Sequence, residues 1–119
     1  MAPARWTDRR SRGHDRTMAQ WLYRIVPTRP GMVTDATDDE VAVVSAHFQY
    51  LLDLKARGDL ILAGRTQETE GTFGITIFEA PDEDVARAIM EADPAVAAGL
   101  MAATLHPYAI AVARDGLSP

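Results

Sequence analysis

The chain contains no cysteine. Disulfides, thiolate zinc sites and thiol nucleophiles are therefore excluded. Histidine is scarce, with only His14, His47 and His106. These lie far apart in sequence, no HxxxH or similar spacing occurs, and no metal site is expected. No apolar run approaches the ~20 residues needed to span a bilayer. The glycines form neither GxGxxG nor a P-loop, so no nucleotide cofactor is expected. The three serines, Ser11, Ser45 and Ser118, lie outside any GxSxG. What remains is an ordinary globular composition, 47% hydrophobic and 24% charged over 119 residues. That length suits one domain.

Charge is unevenly spread. Arg5, Arg9, Arg10, Arg12 and Arg16 against Asp8 and Asp15 give the first seventeen residues +3, leaving −8 on the rest of a chain whose total is −5. So acidic a body is a poor partner for nucleic acid or an anionic membrane. The basic opening has no hydrophobic h-region and does not read as a secretory signal. It lacks apolar periodicity, so residues 1–18 read as a disordered extension. Patterned sequence begins at Met18, a plausible initiator. Removing residues 1–17 is expected to leave the melting temperature unchanged. Without signal or cysteines, the expected compartment is the cytoplasm. The domain is expected over 19–114, with a tail at 115–119.

Residues 20–27 alternate with period two and are rich in aromatic and branched side chains, the pattern of a strand. Thr37-Asp38-Asp39-Glu40 is a capping box whose acids suit a helix N-terminus. It opens a helix over 38–57 that closes on Gly58. The apolar positions Val41, Val44, Phe48, Leu51 and Leu52 recur at helical spacing and predict its buried face. Residues 59–65 and 73–79 read as two further strands. Asp82-Glu83-Asp84 opens a second helix with Val85, Ala86, Ile89 and Met90 inward. Asp93-Pro94 starts a short third helix, Asp as cap and Pro at the first position. Residues 101–113 predict a last strand centred on 108–112.

The order β-α-β-β-α-β folds, through right-handed crossovers, into a four-stranded antiparallel sheet with helices on one face, a ferredoxin-like α+β domain. The opposite face, with Trp21 or Phe78 as candidates for it, is too apolar to stay wet. A homodimer through that face is expected.

Among chemistry-bearing residues, His47 falls about 80° from the centre of the expected apolar stripe at 100° per residue. It can reach a cleft between helix and sheet, although a lone helical histidine reads first as a solvent-edge side chain. Asp93 reads first as a cap, but its second oxygen is free to orient a histidine. Arg65 ends a strand where it can meet an anion, and His106 reads as a loop-edge residue.

The pattern His47-Phe48-Gln49-Tyr50-Leu51, Gly58, Ala63-Gly64, Asp93-Pro94 and Gly99-Leu100, with an opening strand followed by Arg29-Pro30, resembles the YciI-like family (YCII-related domain). The resemblance spans about residues 20–113. It implies the dimeric α/β barrel, in which two ferredoxin-like subunits pack sheet against sheet. It also implies that His47 and Asp93 form an active-site dyad. A few family members are dehydrochlorinase-type lyases of chlorinated aromatics; relatives with this barrel include muconolactone isomerases and cofactor-free monooxygenases. The chain departs from the family where Gly64 precedes Arg65 instead of proline, and where Pro107 precedes Tyr108 instead of tryptophan. The function expected is cofactor-free acid–base catalysis of lyase or isomerase type by His47 and Asp93. Its substrate is a small aromatic or carbonyl compound, with Tyr23, Gly64 and Arg65 as binding residues. The alternative is a non-catalytic module that binds a small metabolite.

Overall fold

A computed structural model of the chain describes residues 18–116. The basic opening and the last three residues, to which the expected extension and part of the expected tail belong, lie outside the described residues.

Four strands form one antiparallel sheet: β1 (Ala19–Pro27), β2 (Leu60–Arg65), β3 (Gly74–Ala80) and β4 (Met101–Tyr108). Their spatial order is β2-β3-β1-β4. Both neighbours of β1 run antiparallel to it, as β2 does to β3. Each outer strand is reached by a helical crossover, which gives the ferredoxin-like arrangement. The helices are α1 (Asp38–Ala56), α2 (Glu83–Ala92) and the one-turn α3 (Pro94–Ala97). A single 3-10 turn, Pro30–Val33, lies in the loop after β1.

The capping box at α1 is complete. The Thr37 hydroxyl accepts from the Glu40 N–H at 3.1 Å, and the Glu40 carboxylate accepts from the Thr37 N–H at 2.9 Å. Glu40 also receives Arg29 through two nitrogens, at 2.7 and 2.6 Å. Those bonds to Arg29, joined by the Thr37 N–H, lower the Glu40 carboxyl to about 2. The loop after β1 is thus tied to the start of α1. At the other end Gly58 takes φ +86°. Its N–H reaches Lys55 and the Asp59 N–H reaches Leu54, the paired bonds by which an αL residue closes a helix.

The core lies between the sheet and the helices. Tyr23, Ile25, Phe78, Ala80, Ala86 and Met90 form its buried cluster, with Trp21, Ile89, Val96 and Leu105 packed against it. Trp21 and Phe78 therefore belong to the helix-covered side, and neither contributes to the open face. Directly paired residues share a face, and Trp21 pairs with Phe78, so the two are fixed together. By the same alternation the open face carries Leu22, Val26, Ile75 and Ile77, with Arg24 stacked 4.5 Å above the Phe73 ring.

The inward faces of the helices differ from the sequence expectation. Val41, Val44, Phe48 and Leu52 turn outward, and Phe48 is 61% exposed. The side of α1 that packs inward carries Val43, His47, Tyr50, Leu51 and Leu54, of which only Leu54 is fully buried. A spacing of three and four residues marks a stripe but not its direction, and α1 has two such stripes. On α2, likewise, Ala86 and Met90 are buried while Val85 is exposed.

The last strand ends at Tyr108 instead of continuing to 113. Tyr108 pairs with Gln20, and β1 begins one residue earlier, so among the described residues no strand extends far enough to pair with the chain beyond. The Ile110 N–H is instead taken by the Gln20 side chain at 2.8 Å. Pro107 sits inside β4 opposite Trp21. It is tolerated because β4 is an edge strand and need not donate on its outer side.

Candidate active site

Asp93 stands at the joint between α2 and α3. Its backbone N–H closes α2 on the Met90 carbonyl. Its carboxylate opens α3 by accepting from the Ala95 N–H at 2.9 Å, and Pro94 supplies the first helical position. This local chemistry turns the side chain inward, where it is fully buried. A buried carboxylate must be matched by donors, and three surround it. Ala95 serves Oδ1. The Tyr23 hydroxyl donates to Oδ2 at 2.6 Å. His47 Nδ1 lies 2.9 Å from Oδ1 and 2.8 Å from Oδ2.

Each partner comes from a different element. Tyr23 is on β1 and has no exposed surface. The Phe78 ring meets it edge-on, with centroids 5.7 Å apart. His47 comes down from the inner side of α1 and is 15% exposed. Nearby, Tyr50 on the same helix donates to the Ile89 carbonyl at 2.6 Å, which ties α1 to α2 one turn before Asp93.

The arrangement fixes a tautomer. An ionised carboxylate only accepts, so Nδ1 must carry the proton that faces it. In the neutral imidazole Nε2 then holds the lone pair. Among the described residues, Nε2 has no hydrogen-bond partner, and it belongs to the one member of the network that reaches solvent.

Burial pushes the Tyr23 hydroxyl above the ordinary phenol value of about 10; the charge of Asp93 and the bond to it add to the shift, and Thr76 opposes it. Burial raises Tyr50 as well. A group raised in the folded state stabilises the fold below its unfolded pKa, and that contribution is lost as pH rises toward the folded value. Above pH ~10 the unfolded chain releases the Tyr23 proton and the folded chain keeps it. Stability is therefore expected to fall by about 1.4 kcal/mol per pH unit from this group. Urea unfolding of wild type and Tyr23→Phe from pH 9 to 11.5 checks this. The variant should lose that part of the slope, and parallel curves would remove Tyr23 as its source.

The other expected site residues lie elsewhere. Gly64 pairs with Ile75, which puts it on the open face, away from His47. Gly64 and Arg65 border a hollow of about 290 Å³ with Leu62, Thr66, Phe73 and Ile75. Tyr23, expected to contact substrate, lies beneath the dyad with its hydroxyl spent on Asp93. His106 bonds the Thr104 hydroxyl through Nε2 at 2.9 Å on an exposed edge. Tyr50 was not singled out from the sequence, although a half-buried tyrosine needs a partner for its hydroxyl. Among the described residues, no group of three or more His, Asp or Glu is placed to hold a metal ion. No helix among them is long and apolar enough to cross a membrane.

The chain is thus a ferredoxin-like α+β domain in which a buried carboxylate holds a histidine. The family follows from a family model. The YCII-related domain matches residues 22–105, and the chain belongs to that family. Among solved structures the chain is similar to the 5-chloro-2-hydroxyhydroquinone dehydrochlorinase TftG of Burkholderia phenoliruptrix AC1100, solved in complex with 2,5-dihydroxybenzoquinone. The two are 25% identical, with a TM-score of 0.56, and the match covers 75% of this chain and 93% of that one. No curated protein sequence matches the chain.

Proposed function

We propose that this chain is an acid–base enzyme of lyase or isomerase type, with His47 Nε2 as the general base and Asp93 as the group that orients it. The substrate class is a small phenol or a carbonyl compound with an acidic neighbouring C–H. One observation carries the reading: a fully buried carboxylate bonds Nδ1 of a partly exposed histidine whose other nitrogen has no partner among the described residues. This is the arrangement of a base supported by an orienting acid.

The reaction needs only a proton and an electron pair to move. Nε2 takes a hydroxyl or C–H proton, and the electron pair it leaves enters the conjugated system. In an isomerisation the imidazolium returns the proton to a different carbon. In an elimination a leaving group such as chloride departs with the pair, and the proton passes to solvent. Asp93 stabilises the imidazolium while the proton is held. The activity in the name of the dehydrochlorinase neighbour is of the second kind and supports this reading, and no cofactor is invoked for it.

A homodimer packed through the open sheet face belongs to the same proposal. Leu22, Val26 and Ile75 on that face are only half-buried within one chain. Sedimentation of the purified protein tests it.

The direct test of the function is chloride release from 5-chloro-2-hydroxyhydroquinone, with a panel of phenols and lactones alongside. His47→Ala should reduce any turnover by about 10²–10⁴-fold, the usual worth of a positioned base. An unchanged rate removes His47 from the mechanism. Ligands that raise the melting temperature without being consumed would favour a binding module over an enzyme.

A further inference from the structure

We infer that Tyr23 is a positioning residue that sets how strongly Asp93 holds His47. The inference rests on the proposed base role of His47 and deepens it.

The geometry places two donors in competition for one oxygen. His47 Nδ1 is almost equidistant from both carboxylate oxygens, at 2.9 and 2.8 Å. Ala95 N–H occupies Oδ1 at 2.9 Å, and Tyr23 O–H occupies Oδ2 at 2.6 Å, within the short range of hydroxyl-to-carboxylate bonds. Charge that Oδ2 shares with Tyr23 is charge it does not share with the imidazole, because donors on one acceptor weaken each other. Tyr23 thus tempers the acceptor that faces Nδ1. It also blocks rotation of the carboxylate about its Cβ–Cγ bond, since both oxygens are already claimed.

The hydroxyl is well fixed for this task. Tyr23 sits in the middle strands of the sheet, paired across to Thr76 on one side and Leu105 on the other. Its ring lies against Phe78. With no exposed surface, the hydroxyl cannot trade Asp93 for water. A side chain placed so deep acts on a substrate only through Asp93 and His47.

The test reads the Nδ1 proton of His47 by ¹⁵N-edited NMR in the full-length protein, so it needs no substrate. Three proteins are compared: wild type, Tyr23→Phe, and the protein with 3-fluorotyrosine replacing Tyr23. Removing the donor should strengthen the His47–Asp93 bond and move the Nδ1 proton downfield. The fluorinated phenol is a stronger donor and should move it upfield. Opposite displacements are expected from a graded donor and not from a residue that merely fills space. Displacements of the same sign, or none, would overturn the inference. If Tyr23→Phe does not fold, the sign in the fluorotyrosine protein decides alone. A folded wild type without a bonded Nδ1 proton would overturn the inference together with the dyad. Failure of the base reading looks different: His47→Ala would turn over substrate normally while the NMR displacements persisted.

Discussion

Asp93→Ala is expected to destabilise the protein by about 3–5 kcal/mol, the cost of removing one partner from a buried charged network. The carboxylate does three things at once. It caps α3 through Ala95, a bond worth ~1 kcal/mol by itself. It accepts the Tyr23 hydroxyl, which has no exposed surface and would be left without an acceptor, at about 1–3 kcal/mol. It also holds His47 and so joins α1 to the α2–α3 joint. Against a typical total stability of about 5–15 kcal/mol, the loss is large. Urea or thermal unfolding of the variant measures it. A loss near 1 kcal/mol would be that of a helix cap alone and would remove the network as a stabilising unit. His47→Ala should cost less, because the histidine lies at the solvent side of the group and its removal leaves Asp93 two of its three donors.

The frame of the molecule was readable because its signals are local. The alternation of Trp21, Tyr23 and Ile25 follows from the two-residue period of a strand, and the capping box at Thr37 follows from groups three residues apart. Direction was harder. Val41, Val44 and Phe48 are as regularly spaced as Val43, His47 and Leu54, and only contact with the sheet decides which stripe faces inward. That contact is tertiary, so the period alone points to the wrong stripe and sets His47 on a flank, whereas it belongs to the packed side. The end of β4 failed for a related reason. Residues 108–112 have strand character, yet a strand needs a neighbour, and β1 begins at Ala19. At the site, the family pattern was needed to link His47 to Asp93 across 46 residues. The Asp-Pro step by itself says only that a helix starts. Tyr23 illustrates the limit most clearly. Its alternation gives the face it occupies, but its partner lies 70 residues away, and no spacing rule connects a strand hydroxyl to a helix cap.

Asp93→Asn should reduce turnover by about as much as His47→Ala, 10²–10⁴-fold, while costing less stability than Asp93→Ala. The amide keeps the shape of the carboxylate but replaces one acceptor oxygen by an NH₂ donor. The Ala95 N–H, bonded to Oδ1, selects the oxygen for that position and keeps the cap. The NH₂ group then takes the place of Oδ2, 2.8 Å from Nδ1 of His47. Facing that donor, and with only a neutral amide oxygen left at the Oδ1 position 2.9 Å away, Nδ1 gives up its proton and becomes the acceptor. The imidazole proton moves to Nε2, which becomes a donor. The proposed base is then lost although every heavy atom stays in place. Tyr23 accepts from the NH₂ group, so its oxygen keeps a partner that Asp93→Ala removes, and the loss of stability is smaller. His47→Ala combined with Asp93→Asn should be no slower than either change alone, because residues that act as one unit do not add. Rates that multiply in the double variant would mean that Asp93 acts on the reaction by a route that bypasses His47.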